Sequence, residues 1–122
     1  MNHVPASNIY PKVLIISQTR KNNYLNNRSW NFAQLATKEY RQNYSCIYNV
    51  QAKGNSEVYL EAGGLNNFKI LKSPLIPLSK ARNRTYNFGL KEFPECEYFV
   101  FIDDDSYIYD AYLFLQSLNI IR

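Results

Sequence analysis

Two short stretches of this chain are apolar on consecutive residues, and they limit what it can fold into. Lys12 to Ser17 reads KVLIIS, and Tyr98 to Ile102 reads YFVFI. A strand with one wet face alternates apolar and polar side chains, whereas a strand without alternation needs cover on both faces. Such strands belong to parallel sheets held between helices, so the two runs predict neighbouring parallel strands in an α/β domain. Cys46 to Val50 (CIYNV) and Phe68 to Leu71 (FKIL) predict two more.

Helical spacing appears between these runs. Ser29 is placed to cap a helix from Trp30 to about Asn43, carrying Phe32, Leu35, Ala36 and Tyr40 on one side. A short helix is expected from Ser56 to Gly63, ended by the Gly63-Gly64 pair. After a two-proline loop from Ser73 to Leu78, Ser79 is expected to cap a helix to about Phe93, with Arg82, Tyr86, Leu90 and Phe93 on one stripe. Ala111 to Ile121 is a last, strongly apolar helical segment. Strands alternating with helices imply right-handed βαβ units in an open, mostly parallel sheet with flanking helices, a Rossmann-like arrangement.

At 122 residues the chain is sized for one domain, read as a polar tail over 1–11 and a folded unit over 12–122. Hydrophobic residues make up 46% against 20% charged, enough apolar material for a core and too much for a disordered chain. The net charge of +4 favours anionic partners. Its positive residues are dispersed, with Arg20-Lys21 and Lys80 to Arg84 the longest clusters, so no nucleic-acid stripe forms and nucleic acid is not expected as a partner. Cys46 and Cys96 stand far apart and His3 lies in the tail, which does not make a zinc site. They read as structural thiols of a reduced, cytoplasmic protein. No secretory leader heads the chain and no apolar run approaches the roughly 20 residues of a membrane helix. Sequons at Asn27, Asn43 and Asn83 therefore carry no weight, and any membrane association is expected to be peripheral.

Ligands of open α/β sheets bind outside the carboxyl ends of the strands. The polar clusters fall there: Thr19-Arg20, Gln51 to Ser56, and Asp103 to Ser106. Three consecutive carboxylates at the mouth of a buried strand repel one another, and a divalent cation removes that cost. Mg²⁺ or Mn²⁺ takes one or two carboxylates and fills its other positions with phosphate oxygens and water. Asp103 and Asp105, two apart at a strand end, are expected on the same side of the pleat, where they can share such an ion. The competing reading is an acidic turn in which Asp105 or Ser106 caps the next helix.

The stretch Ser79-Lys80-Ala81-Arg82-Asn83 heads a helix, and downstream Glu97-Tyr98 opens an apolar strand that runs into Asp103-Asp104-Asp105. This ordered combination resembles the family 2-like glycosyltransferases of the GT-A clan, in which an Ala-Arg-Asn helix precedes Glu-Tyr, an apolar strand and Asp-x-Asp. Pro11 to Thr19 is similar to that family's first strand. The resemblance implies the nucleotide-sugar-binding half of a GT-A domain, with transfer of a sugar from a nucleoside-diphosphate donor to a glycan, lipid or protein acceptor. It implies Mn²⁺ or Mg²⁺ held by Asp105 with Asp103, and Asp103 facing the ribose or sugar. Asp104 would take the variable middle position of the donor site. Arg82 would reach the nucleotide or its phosphates, and Thr19 and Arg20 would lie beside the base. Plainer readings are that Arg82 pairs with the acidic cluster and that Arg20 is solvated.

Two departures stand out. Relatives carry an acidic residue after the second strand, whereas Gln51-Ala52-Lys53-Gly54-Asn55-Ser56 has none, leaving Gln51 and Asn55 to hydrogen-bond the donor nucleotide. The chain also ends where such enzymes are half complete. Asp110 is the only carboxylate after the triad, no catalytic base or acceptor site is evident, and Tyr112 to Ile121 is expected to expose apolar surface that invites self-association. The alternatives are a truncated, non-catalytic nucleotide-sugar-binding domain and a metal-dependent phosphotransferase. Against the latter stands the triad's place on the last strand rather than the first.

Overall fold

Strands form where the apolar runs fall. The computed structural model describes residues 10–21, 23–54, 59–62 and 67–121, so His3, Asn55, Ser56 and the Gly63-Gly64 pair lie outside the described residues. The elements are β1 (Val13–Thr19), α1 (Arg28–Glu39), β2 (Tyr44–Gln51), β3 (Tyr59–Ala62), β4 (Phe68–Ser73), α2 (Leu78–Glu92), β5 (Tyr98–Ile102) and α3 (Ala111–Ile121). They build one sheet in the order β3-β4-β2-β1-β5. β5, β1, β2 and β4 run parallel, and β3 is an antiparallel edge on β4. The chain is thus an α/β domain with an open, mostly parallel sheet and flanking helices. β1 and β5 are neighbours, with Val13 opposite Tyr98 and Ser17 opposite Ile102.

The missing alternation in β1 has a direct cause. Val13 and Ile15 face a core with Trp30, Phe32, Ala33 and Ala36 of α1 and Leu115 of α3. Leu14 and Ile16 face the other way, into a core with Phe93 and the α2 residues Tyr86 and Phe88. Both faces are dry from Val13 to Ile16, so each of those positions is apolar. On the α1 side, Trp30 stands edge-on to Phe68 at 4.7 Å and to Tyr48 at 5.5 Å between ring centroids. Pairs of this geometry add about 0.5–1.5 kcal/mol each beyond the area they bury.

Helix α2 approaches the sheet through small residues. Its buried positions are Ala81, Thr85 and Gly89, and a Cβ at Gly89 would land on the Leu14 Cδ2 atom. Of the expected Arg82-Tyr86-Leu90-Phe93 stripe, Phe93 is buried and Tyr86 packs against the core, while Arg82 and Leu90 are exposed. Close packing on a two-sided strand selects the small stripe beside it. The same correction applies to Leu35, which is 58% exposed while Ala33, Ala36 and Thr37 are buried.

The expected helix from Ser56 to Gly63 is overturned over its described part, because Tyr59–Ala62 is a strand paired antiparallel with β4. A helix of so few residues has a costly nucleus and few bonds to repay it, while the β4 edge offers a ready row of N–H and C=O partners. The caps also shift. Ser29 lies inside α1, which is preceded by Asn27 and ends at Glu39, short of Asn43. Ser79 lies inside α2, preceded by Pro77.

On α3, Leu115 is buried, while Tyr112 and Leu113 are exposed. Cys46 and Cys96 are free thiols. Among the described residues no helix is long and apolar enough to cross a membrane. The chain leaves β1 through α1 on one face, and returns from β4 through α2 on the other to place β5 on β1's opposite edge. That divergence opens a crevice at the carboxyl ends of β1 and β5, the position where open α/β sheets take their ligands.

Candidate functional site

β5 ends at Ile102, and the acidic triad is a turn beyond it, closed by the Ser106 N–H donating to the Asp103 carbonyl at 3.0 Å. The expectation that a strand pleat aims Asp103 and Asp105 is corrected accordingly, since turn geometry sets their directions. The anchored member is the middle one. Thr19, at the end of β1 and 3% exposed, donates its hydroxyl to Asp104 Oδ2 at 2.7 Å. The Asp104 carbonyl faces the Ser29 N–H in the first turn of α1 at 3.4 Å.

Behind that anchor runs a buried polar network. Thr19 Oγ1 accepts from Asn27 Nδ2 at 3.1 Å, and the same Nδ2 donates to the Tyr48 hydroxyl at 3.0 Å. Ser29 Oγ donates to Tyr48 at 3.3 Å and accepts from Ser17 at 3.0 Å. Asn27 does not cap α1 with its side chain, because its amide is committed to this network. Burial raises the Tyr48 phenol above its ordinary value, against the opposing pull of the bonds from Ser29 and Asn27. Satisfied networks of this kind rigidify what they touch, here the base of the Asp turn.

Asp103 and Asp105 remain open to solvent. Arg82 reaches Asp103 Oδ1 at 3.5 Å, with the two side chains 48% and 70% exposed. An exposed pair at that length holds little energy, so both groups stay free to meet a ligand. Arg20 is tied differently: its guanidinium donates to the Ile76 carbonyl at 2.7 Å, bracing the two-proline loop. The Ile76 N–H in turn donates to Gln51 Oε1 at 3.3 Å. Thr19, Arg20, Gln51, Arg82 and Asp103, Asp104 and Asp105 all line one cleft of about 400 Å³. Gln18, Lys21 and Leu78 line it too.

The chain matches no protein-family model, no curated protein and no solved structure.

The donor chemistry of the cleft suits a hard cation. Its open carboxylate oxygens belong to Asp103 and Asp105, and no sulfur or imidazole lines it. Among the described residues no group of three or more His, Cys, Asp or Glu side chains is arranged to hold a metal by itself. Mg²⁺ and Mn²⁺ fit that limit, because they bind through one or two carboxylates and complete their shell with phosphate and water. Sequence reasoning missed Ser17, Asn27 and Tyr48 as supports of the turn. The available signal was the switch from the apolar run of Val13 to Ile16 to three polar residues, Ser17, Gln18 and Thr19, within the same strand.

Proposed function

We propose that this cleft binds a nucleoside-diphosphate sugar through a divalent cation, for transfer of the sugar to a glycan, lipid or protein hydroxyl. The observation that carries the reading is convergence. Thr19, Arg20, Gln51, Arg82 and the three aspartates, which strand-end position and the family resemblance single out in the sequence, line one cleft at a sheet's carboxyl edge. In this reading Asp105 and Asp103 hold Mn²⁺ or Mg²⁺, which supplies positive charge to the departing diphosphate. Arg82 swings from its loose contact with Asp103 onto the phosphates, which its planar fork fits. Asp104 does not ligate; through Thr19 it fixes the turn. The acceptor oxygen bonds to the anomeric carbon as the bond from that carbon to the diphosphate oxygen breaks, and the hydroxyl proton passes to solvent.

A second reading, binding without turnover, is favoured by Asp110. Its Oδ1 accepts the Leu113 N–H at 3.0 Å, so it caps α3, and among the described residues the acidic side chains lining the cleft are the triad's own. Calorimetry with a panel of nucleoside diphosphates tests the shared core of both readings. Binding should require Mn²⁺ or Mg²⁺, weaken sharply in Asp105→Ala and weaken less in Asp104→Ala. Equal affinity in EDTA, or parental affinity in Asp105→Ala, would leave the triad as a closed turn. Release of free sugar from a bound donor then separates the enzyme from the carrier.

A further inference from the structure

Two carboxamides line the cleft with three of their four polar atoms buried and without a partner among the described residues. Gln51, ending β2, is 1% exposed. Its Oε1 accepts the Ile76 N–H, which fixes the amide orientation, since an N–H cannot donate to the amide nitrogen. The remaining atom, Nε2, is buried and has no hydrogen-bond partner among the described residues. On β1, both amide atoms of Gln18 are buried and likewise without a partner among the described residues.

These side chains share a sheet face. Gln18 stands opposite Asn49, and Gln51 follows Asn49 by one pleat period. Asn49 donates to Thr85 of α2 at 2.9 Å and accepts from Ser73 at 2.8 Å, so the amide between them is fully engaged. Unpaired buried amides are costly, and folded proteins satisfy nearly all of them. Two such amides in one cleft leave donors and an acceptor for a partner from outside the chain, water or a ligand.

Position says which part of a ligand. The triad ends β5, and β1 separates β5 from β2. At about 4.8 Å between strands, Gln51 lies about 10 Å across the sheet from the triad. A nucleotide whose phosphates sit at the triad reaches that far with its base.

We propose that Gln18 and Gln51 read the edge of a uracil or thymine base, an inference that rests on the nucleotide reading above. Gln51 offers a donor only, and Gln18 offers one acceptor and one donor. The complement of donor, acceptor and donor is an edge of acceptor, donor and acceptor. O4, N3–H and O2 of a dioxopyrimidine present that edge. Cytosine puts an amino group where O4 would stand and turns its N–H toward the Gln51 N–H. Guanine presents two donors and one acceptor, and adenine puts an amino group in place of the keto oxygen.

The test is calorimetry of UDP, CDP, GDP and ADP in Mn²⁺ against the parent chain, Gln51→Glu and Gln18→Leu, each checked for folding by thermal unfolding. Gln51→Glu keeps an oxygen for Ile76 and replaces the free donor with an acceptor. The parent should bind UDP at least roughly tenfold tighter than the other three, the size of one buried mismatched hydrogen bond. Gln51→Glu should lose that preference and gain affinity for CDP, while Gln18→Leu should bring the four nucleotides together. Four equal affinities in the parent, a preference for another base, or a uridine preference surviving in both variants overturns the base assignment and leaves metal-dependent nucleotide binding standing. A folded parent that binds none of the four in Mn²⁺ overturns both.

Discussion

Replacing Thr19 with valine removes one oxygen and keeps the shape of the side chain, so it tests the anchor of the acidic turn without opening a cavity. That oxygen has three bonds. It donates to Asp104 at 2.7 Å and accepts from Asn27 Nδ2 and from the Lys21 N–H, each at 3.1 Å. The bond to a carboxylate is worth about 1.5–3 kcal/mol. Asn27 keeps its bond to Tyr48 but loses a buried partner, adding about 1 kcal/mol. Lys21 is exposed and regains water. Thr19→Val should therefore cost about 2.5–4 kcal/mol, and at about 4 °C per kcal/mol for a domain of this size it should lower Tm by about 10–16 °C. Thr19→Ser keeps the hydroxyl and loses one methyl, a cost of about 1 kcal/mol. Urea and thermal unfolding followed by circular dichroism measure both, and nucleotide affinity in Mn²⁺ should fall in the valine variant and hold in the serine one. A valine variant that melts with the parent, or a serine variant that melts as low as valine, would refute the claim that this hydroxyl organises the turn.

Gly89→Val should destabilise by about 1–3 kcal/mol in urea titrations, because its Cβ meets the fully buried Leu14 and a few tenths gained in helix propensity cannot offset the overpacking. Stability should also fall at alkaline pH. Burial pushes the Cys96 thiol from 9.0 up to about 11 and holds Cys46, Tyr44 and Tyr48 above their ordinary values. A raised folded pKa stabilises fully below the unfolded value, so the urea midpoint should stay level to about pH 9 and decline as pH rises through about 11. A flat profile across that window would show that the thiols and phenols ionise equally in both states. Leu113 is 56% exposed on α3 beside exposed Tyr112. We expect Leu113→Glu to reduce self-association in sedimentation velocity, and a parent that stays monomeric at high concentration argues against an interface there.

Periodicity and local chemistry settle much of this protein before it folds. The runs at Val13 to Ile16 and Tyr98–Ile102 have no polar side to give to water and are paired side by side as parallel strands. The first is covered on both faces, whereas β5 is an edge strand, only half-buried and with Phe101 exposed, so the expected double cover is not met there. Asp103, Thr19 and Gln51 were legible as cleft residues for a related reason: polar groups that follow the strands emerge at the sheet's carboxyl edge, where α/β crossovers leave room. Arg82, on α2, was legible only through the family resemblance. Other outcomes depend on contacts distant in sequence. Tyr59–Ala62 is a strand because β4 presents an edge to it, a partner that no local window contains. The buried face of α2 passes to Ala81, Thr85 and Gly89 because the distance to β1, rather than hydrophobicity, selects it. Asp104 becomes the anchored member of three chemically identical aspartates only because β1 delivers the Thr19 hydroxyl across the 85 residues that separate them. Composition cannot separate those aspartates, and the register of two strands can.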